Sequence, residues 1–369
     1  LDLIHKPDWD SSRDRFIDWW SPAMKGAIVQ VECPRAGAAL PQKPGWIKSP
    51  DSWWWFMDWI TEENAGAPEE FFGFWNSHLR TRRFLGDSYP HFWLNFGPGS
   101  IAAYLTGILA YKGSTAWFEL SEPLPWTEIY ELGAEDHALW WRRTRLAAAA
   151  VSRYARGRFV VGTADLGGIH DILASLRTTE QLIVDCVEDP DLVTEGALRM
   201  VETWQGCYDE LAEIIGGEGQ DGTSAWMGLW APGRWYPIQC DFAAMLSPAL
   251  FERLVVPILR AQCDGLDHSI YHWDGPGQVP HLDHLLEIEN LDGIQWVPGA
   301  GASGPADGKW FPLYERIQKA GKRLVLTCAP DEAKILMERL NPNGLALTTW
   351  CESEEEGKRL ADSLRIPAE

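Results

Sequence analysis

"SPALFERLVVPILRAQCDGLDHSIYHWDG", residues 247 to 275, is the stretch whose reading decides the fold. Leu250, Phe251, Leu254, Val255, Ile258 and Leu259 recur at helical spacing, so 247–266 predicts an amphipathic helix. "SIYHW" (269–273) then reads as a short strand that delivers His272 and Asp274 at its end. A lone histidine beside a strand is more often a core residue than a ligand, so its place in the whole chain has to decide its role.

The same alternation runs through the chain. Strand-prone runs are "AIVQVE" (27–32), "HFWLNF" (91–96), "RFVVGT" (158–163), "TSAWMGLW" (223–230), "SIYHW", "GIQWVP" (293–298), "RLVLTC" (323–328) and "LALTTW" (345–350). Helical patterns lie between them: 189–215 behind an Asp-Pro start, 330–340, and 353–364 at the end. Eight strands alternating with helices predict an α/β chain folded as a (β/α)8 TIM barrel. An open doubly wound sheet would carry fewer strands and a phosphate-binding glycine motif, neither of which is seen. The opening 26 residues and the Trp-rich insert of about 33 to 90 are extra, and they predict a helical and loop cap over the barrel mouth. The chain thus divides into 1–90, holding the extension, the first strand and the capping insert, and 91–369, the rest of the barrel.

Composition narrows the function. Of 369 residues, 46% are hydrophobic and 23% charged, ordinary for a folded chain with a large core. A net charge of −21 argues against a nucleic-acid partner, which needs clustered Lys and Arg. No run reaches the roughly 18–20 apolar residues of a membrane span, and the start lacks the order of a secretory signal. Seven scattered cysteines without a CxxC pair suit reduced thiols and a cytoplasmic location. The 22 tryptophans are the outlier: most suit core packing, and a minority suit the wall of a pocket for a flat or sugar-like substrate.

Chemistry in such barrels collects at the C-terminal ends of the strands. That inventory gives Glu32, Cys33 and Arg35 after the first run and Asn95 on the second. Asp165 and His170 follow the third, and Trp230, Arg234, Cys240 and Asp241 the fourth. His272 and Asp274 end the fifth, Gln295 and Trp296 lie on the sixth, Cys328 ends the seventh, and Cys351 and Glu352 end the eighth. An imidazole and two thiols converging on one mouth form a ligand set that suits Zn2+, with a fourth position left for water, a carboxylate or substrate.

"DFAAMLSPALFERLVVPILRAQCDGLDHSIYHWDG" (241–275) resembles the uroporphyrinogen decarboxylase superfamily, in which an Asp precedes a Ser-Pro helix start and a strand ends in His-x-Cys-Gly or a relative of it. "GTADLGGIHDILASLRTTEQLIVDCVEDPDLV" (162–193) is similar to its Gly-rich strand end and Asp-Pro helix start, and "TCAPDEAKILMERLNPNGLALTTWCESEEEGKRL" (327–360) to its closing β-α-β-α unit. The likeness runs from about residue 155 to the end, and more faintly back to "GAIVQVECPRAG" (26–37). The arginine-rich first-strand signature of the heme-pathway decarboxylases is reduced here to Arg35, Ala36 and Gly37, and their acidic residue after the second strand becomes Asn95.

The superfamily's corrinoid-dependent methyltransferase branch is the nearer resemblance. It implies zinc held by a His-x-Cys pair and a C-terminal Cys, which here fall on His272, Asp274 in place of the middle Cys, and Cys351, with Cys328 able to restore a sulfur. It implies an enzyme that demethylates a small O- or N-methyl compound and passes the methyl to a separate corrinoid protein carrying cobalamin. Asp241, Glu32 and Glu352 are then the catalytic candidates, polarising, protonating or orienting the substrate, and Arg35, Asn95, Trp230, Gln295 and Trp296 the binding candidates. A metal-free decarboxylase or lyase in which His272, Arg35 and Asp241 handle an acidic substrate is the alternative, and a non-catalytic barrel that binds a sugar or aromatic ligand is a third reading. A homodimer is left open.

Overall fold

Nine strands position the site in the computed structural model, which describes residues 3–61, 68–113, 116–118, 120–133 and 139–365. They are β1 (Ile28–Pro34), β2 (Arg82–Gly86), β3 (His91–Trp93), β4 (Val160–Gly162), β5 (Trp235–Gln239), β6 (His268–Asp274), β7 (Gly293–Val297), β8 (Arg323–Thr327) and β9 (Leu345–Trp350). Seven of them make one mixed sheet in the order β2-β1-β9-β8-β7-β6-β5, with every neighbour parallel except β2 against β1. β3 and β4 form a separate parallel pair. The chain is therefore an α/β fold with a central mixed sheet and an N-terminal helical cap. Among the described residues no ladder joins the β3–β4 pair to the large sheet, so the expected eight-stranded ring is not drawn as one continuous sheet.

Two of the sequence expectations are corrected. "TSAWMGLW" is not one strand: Thr223–Ser224 turns back to pair antiparallel with Trp230–Ala231. The strand beside β6 is instead β5, whose Pro237 lies opposite Ile270. A proline donates no ladder bond and argues against a strand in sequence, yet β5 ends the sheet, where one side needs no partner. β2, with its two arginines, occupies the opposite edge. The predicted helix over 247–266 runs from Pro248 to Asp264 with a widened π turn at Phe251–Val255 just before Pro257. Proline lacks the N–H that would close the ordinary turn, and the wider turn absorbs that loss.

The extra N-terminal segments go to opposite ends. Helix α1 (Trp9–Trp20) closes the end where the strands begin: Trp19 Nε1 donates to Leu345 O at 3.1 Å, and Trp20 stacks 4.5 Å from His268. Buried Arg323 holds this junction, donating to the carbonyls of Trp19 (3.0 Å), Trp20 (2.6 Å) and Ser21 (2.9 Å) while pairing with Asp292 at 2.9 Å. These are the orphan carbonyls of a helix end, and a guanidinium both satisfies them and opposes the helix dipole. Residues 3–26 thus do not lie over the mouth. The insert does: Trp53 and Phe56 share a cavity wall with Glu32, Thr349 and Trp350 at the strand ends.

Behind β4, Asp165 is buried, accepting the Gly167 N–H at 2.9 Å, and burial pushes its carboxyl up to about 7. The folded chain therefore binds this proton more tightly than the unfolded chain, so its contribution to stability is lost as pH rises from about 4 to about 7.

Two outcomes follow from these contacts. Arg323→Ala is expected to lower unfolding free energy by ~2–4 kcal/mol in urea titrations, because it takes the guanidinium from three carbonyls and from the half-buried Asp292 carboxylate; a loss below ~1 kcal/mol would show that water replaces the guanidinium. Asp165→Asn should gain stability relative to wild type between pH 4.5 and 7.5, by ~1–3 kcal/mol, and parallel pH profiles for the two proteins would contradict the buried-acid account.

Candidate metal centre and adjoining cavity

Along β6 the side chains alternate, sending Tyr271 and Trp273 outward and His272 and Asp274 to the inner face of the sheet. Tyr271 donates to Gln278 Oε1 at 2.7 Å and Trp273 packs 4.5 Å from Trp296, so the outward face is locked by the core. On the neighbouring strand Gln295 stands in register with His272, and its Oε1 lies 2.6 Å from His272 Nδ1. An amide oxygen can only accept, so this contact places the proton on Nδ1 and leaves the Nε2 lone pair as the ring's free ligand atom. Trp226 covers the imidazole edge-on at 5.0 Å.

Asp241 arrives from the end of β5. Its turn is clamped by Asp171, whose carboxylate accepts the N–H groups of Asp241 at 3.0 Å and Phe242 at 2.7 Å. Gly168 makes the clamp possible, since a Cβ there would sit 2.3 Å from both Asp171 Oδ2 and Gln239 O. One ligand atom each from Asp241, His272 and Asp274 lies within 4.8 Å of the others. Ligands about 2 Å from a shared ion sit roughly 3–3.5 Å apart, so small side-chain rotations close the gap. Asp274 Oδ1 is buried without a hydrogen-bond partner, an expense that a bound cation would remove. Burial raises the Asp171 and Asp241 carboxyls, with each raised further by a carboxylate neighbour, and burial lowers the His272 imidazole. Crowded acids around a neutral imidazole fit a divalent ion.

Beside this group lies a cavity of about 620 Å3. The three ligand residues are not in its wall; Gln295 and Trp226 are, and they join it to the imidazole. Its polar side holds Glu32, paired with Arg82 at 2.6 Å, and Gln30, which accepts from Thr348 Oγ1 at 3.1 Å and donates to Gly228 O at 3.0 Å. Two histidines also line it, His78 and His91, and burial pushes both down to about 4.

The remaining expected site residues are placed as follows. Glu32 and Gln295 line the cavity. Asn95 is buried beside it, donating to Trp53 O at 2.6 Å and accepting from Gly97 N at 2.8 Å, so it anchors the cap. Arg35 lies outside the cavity wall, with its backbone N–H on Thr81 O. Trp230 belongs to the far end, packed on Trp9 at 5.8 Å, and Trp296 is buried on the helix side between Trp273 and Trp310. Neither faces the mouth. Glu352 is exposed, its N–H capped by Glu356 at 2.7 Å. Cys328 and Cys351 are buried and outside the metal group, and burial pushes their thiols up to about 12 and about 11. The structure therefore assembles two carboxylates and an imidazole where the sequence pattern expected thiols to join.

Asp171, Arg82 and Trp226 were not singled out from the sequence. An acid in the first turn of a helix reads as a dipole or capping residue, which hides a clamp on a distant loop.

No protein-family model and no curated protein matches the chain. Among solved structures it is similar to a methyltransferase from Methanosarcina mazei, at 12% identity and a TM-score of 0.49, over 74% of this chain and 80% of that one.

Proposed function

We propose that this protein is a divalent-metal-dependent methyltransferase that removes a methyl group from a small O- or N-methylated compound and delivers it to a separate corrinoid protein. The observation that carries the reading is the meeting of Asp241, His272 and Asp274 at the strand ends, with an unpartnered carboxylate oxygen among them. The branch of the superfamily that the 241–275 segment resembles uses zinc at this place, and zinc accepts an imidazole with two carboxylates. A closed eight-stranded barrel and a cytoplasmic location, which suits seven free buried thiols, belong to the same proposal.

A divalent ion supplies Lewis acidity, drawing electron density from the ether oxygen or amine nitrogen that must leave. The protein's own groups prepare for that. Gln295 fixes the imidazole so that Nε2 is free, Asp171 fixes the Asp241 turn, and Trp226 keeps water from one side of His272. The adjoining cavity holds the body of the substrate. A metal-free decarboxylase gains little support from this arrangement, because carboxylates crowd His272, Arg35 lies outside the cavity wall, and the Arg82 that does line it is paired with Glu32.

Metal analysis of protein purified without added metal tests the reading. About one tightly held divalent ion per chain is expected, with affinity reduced at least ~100-fold in His272→Ala and Asp274→Ala. Cys328→Ser and Cys351→Ser should retain it. A folded wild-type protein that binds no divalent ion at any pH would remove the basis of the proposal.

A further inference from the structure

The seam between β1 and β9 brings two thiols together. Its register sets Glu32 opposite Trp350, and Cys351 N donates to Glu32 O at 2.9 Å, which carries the parallel pattern one step further. Cys33 and Cys351 therefore stand directly opposite each other. Glu32 and Trp350 line the cavity, so by alternation both thiols face away from it, toward the C-terminal helix (Glu354–Leu364). That helix lies directly on them: a Cβ at Gly357 would sit 2.8 Å from Cys33 Sγ. Among the described residues no other two cysteines face each other across a ladder.

The backbone spacing suits a bond between them. Paired strands lie ~4.8 Å apart, inside the roughly 4.4–6.8 Å spanned by the Cα atoms of a disulfide. Cys351 is one residue past the end of β9, so turning its sulfur toward Cys33 does not distort a strand.

We propose that Cys33 and Cys351 form a reversible disulfide that staples the first strand of the sheet to the last, closed by a small disulfide of the oxidised-glutathione class and opened by thiols. Neither the pairing nor its chemistry depends on the methyltransferase reading. Cys351, with 4% of its surface open against none for Cys33, exchanges first. Its thiolate attacks one sulfur of the oxidant, breaking that S–S bond and releasing one small thiol. The Cys33 thiolate then attacks the Cys351 sulfur of the mixed disulfide and releases the second. Two protein thiols thus give up two electrons and two protons, and one oxidant becomes two thiols.

Burial raises both thiols, Cys351 to about 11, so exchange is slow near pH 7 and quickens as pH rises. The helix gates access. Glu354 ties its start to the chain after β1, accepting the Ala36 N–H at 2.6 Å and pairing with Arg83 at 3.3 Å. Once closed, the bridge holds the residues that follow Glu32 and Trp350, and so fixes the cavity rim. It also closes a loop of nearly the whole chain, which restricts the unfolded state.

Incubation of the folded full chain with oxidised glutathione at about pH 8.5, where more thiolate is present, tests this by thiol counting and peptide mass mapping. Free thiols are expected to fall from seven to five, with the peptides that hold Cys33 and Cys351 joined. The melting temperature should rise by ~5–10 °C and return on reduction with dithiothreitol. Cys33→Ser and Cys351→Ser should each abolish the shift, whereas Cys186→Ser should keep it. Glu354→Ala should speed closure ~3–10-fold by loosening the helix. A second sample, refolded from urea in a glutathione buffer, removes burial as a barrier. Seven free thiols in both samples, mixed disulfides that do not resolve, or a bridge between any other pair overturns the proposal. A bridge from Cys33 to Cys351 that forms only during refolding overturns it as a switch of the folded protein.

Discussion

Carboxylates crowding one imidazole are the constraint on which the functional end of this molecule depends. Asp171, Asp241 and Asp274 act on one another or on His272, and none of the groups acting most strongly on Asp171, Asp241 or His272 is a lysine or arginine. Like charges brought this close in a partly dry site are costly, and the protein tolerates them only through rigid support. Asp171 spends both oxygens on the Asp241 turn, Gly168 yields the space for it, and the β6–β7 register brings Gln295 to the imidazole. A divalent ion reverses the balance, turning repulsion among ligands into a shared attraction.

The parts of the fold legible in sequence were those fixed by local period. β1 and β6 through β9 appear where apolar runs placed them, and the long helix at Pro190–Gly217 starts at its Asp-Pro signal. β5 was hidden by Pro237, which is harmless only because that strand lies at the sheet edge, a tertiary fact that no window of sequence contains. The same limit separates the site residues. His272, Asp274 and Asp241 lie at strand ends by position alone, whereas the exclusion of Cys328 and Cys351 depends on which way a side chain turns after its strand. Trp296 was misplaced for that reason: it alternates with Gln295, one facing the mouth and the other the helices.

The tryptophans divide by charge environment more than by number. At the closed end Trp19 and Trp20 lie about 5.4 and 5.3 Å from the Arg323 guanidinium and spend their N–H groups on backbone carbonyls. There the indole is a structural partner for a buried cation. Around the mouth Trp53 and Trp350 are half open and line empty volume. One residue type thus serves as mortar at one end and as a half-open cavity wall at the other.

Asp274 joins these threads. An acid in the place where the resembling branch carries a thiolate makes a harder ligand, which donates less electron density to the ion. An ion held there would be the stronger Lewis acid. A strong Lewis acid suits a leaving oxygen or nitrogen, whereas a thiolate-rich site suits activation of a sulfur nucleophile, which must keep its electron density. The cavity is consistent with the first case. Its polar groups are amides, hydroxyls, neutral imidazoles and one internally cancelled ion pair, and none of the cysteines lines it. Ligand hardness and cavity neutrality come from different strands and separate stretches of sequence, and both accord with the proposed methyl transfer from oxygen or nitrogen.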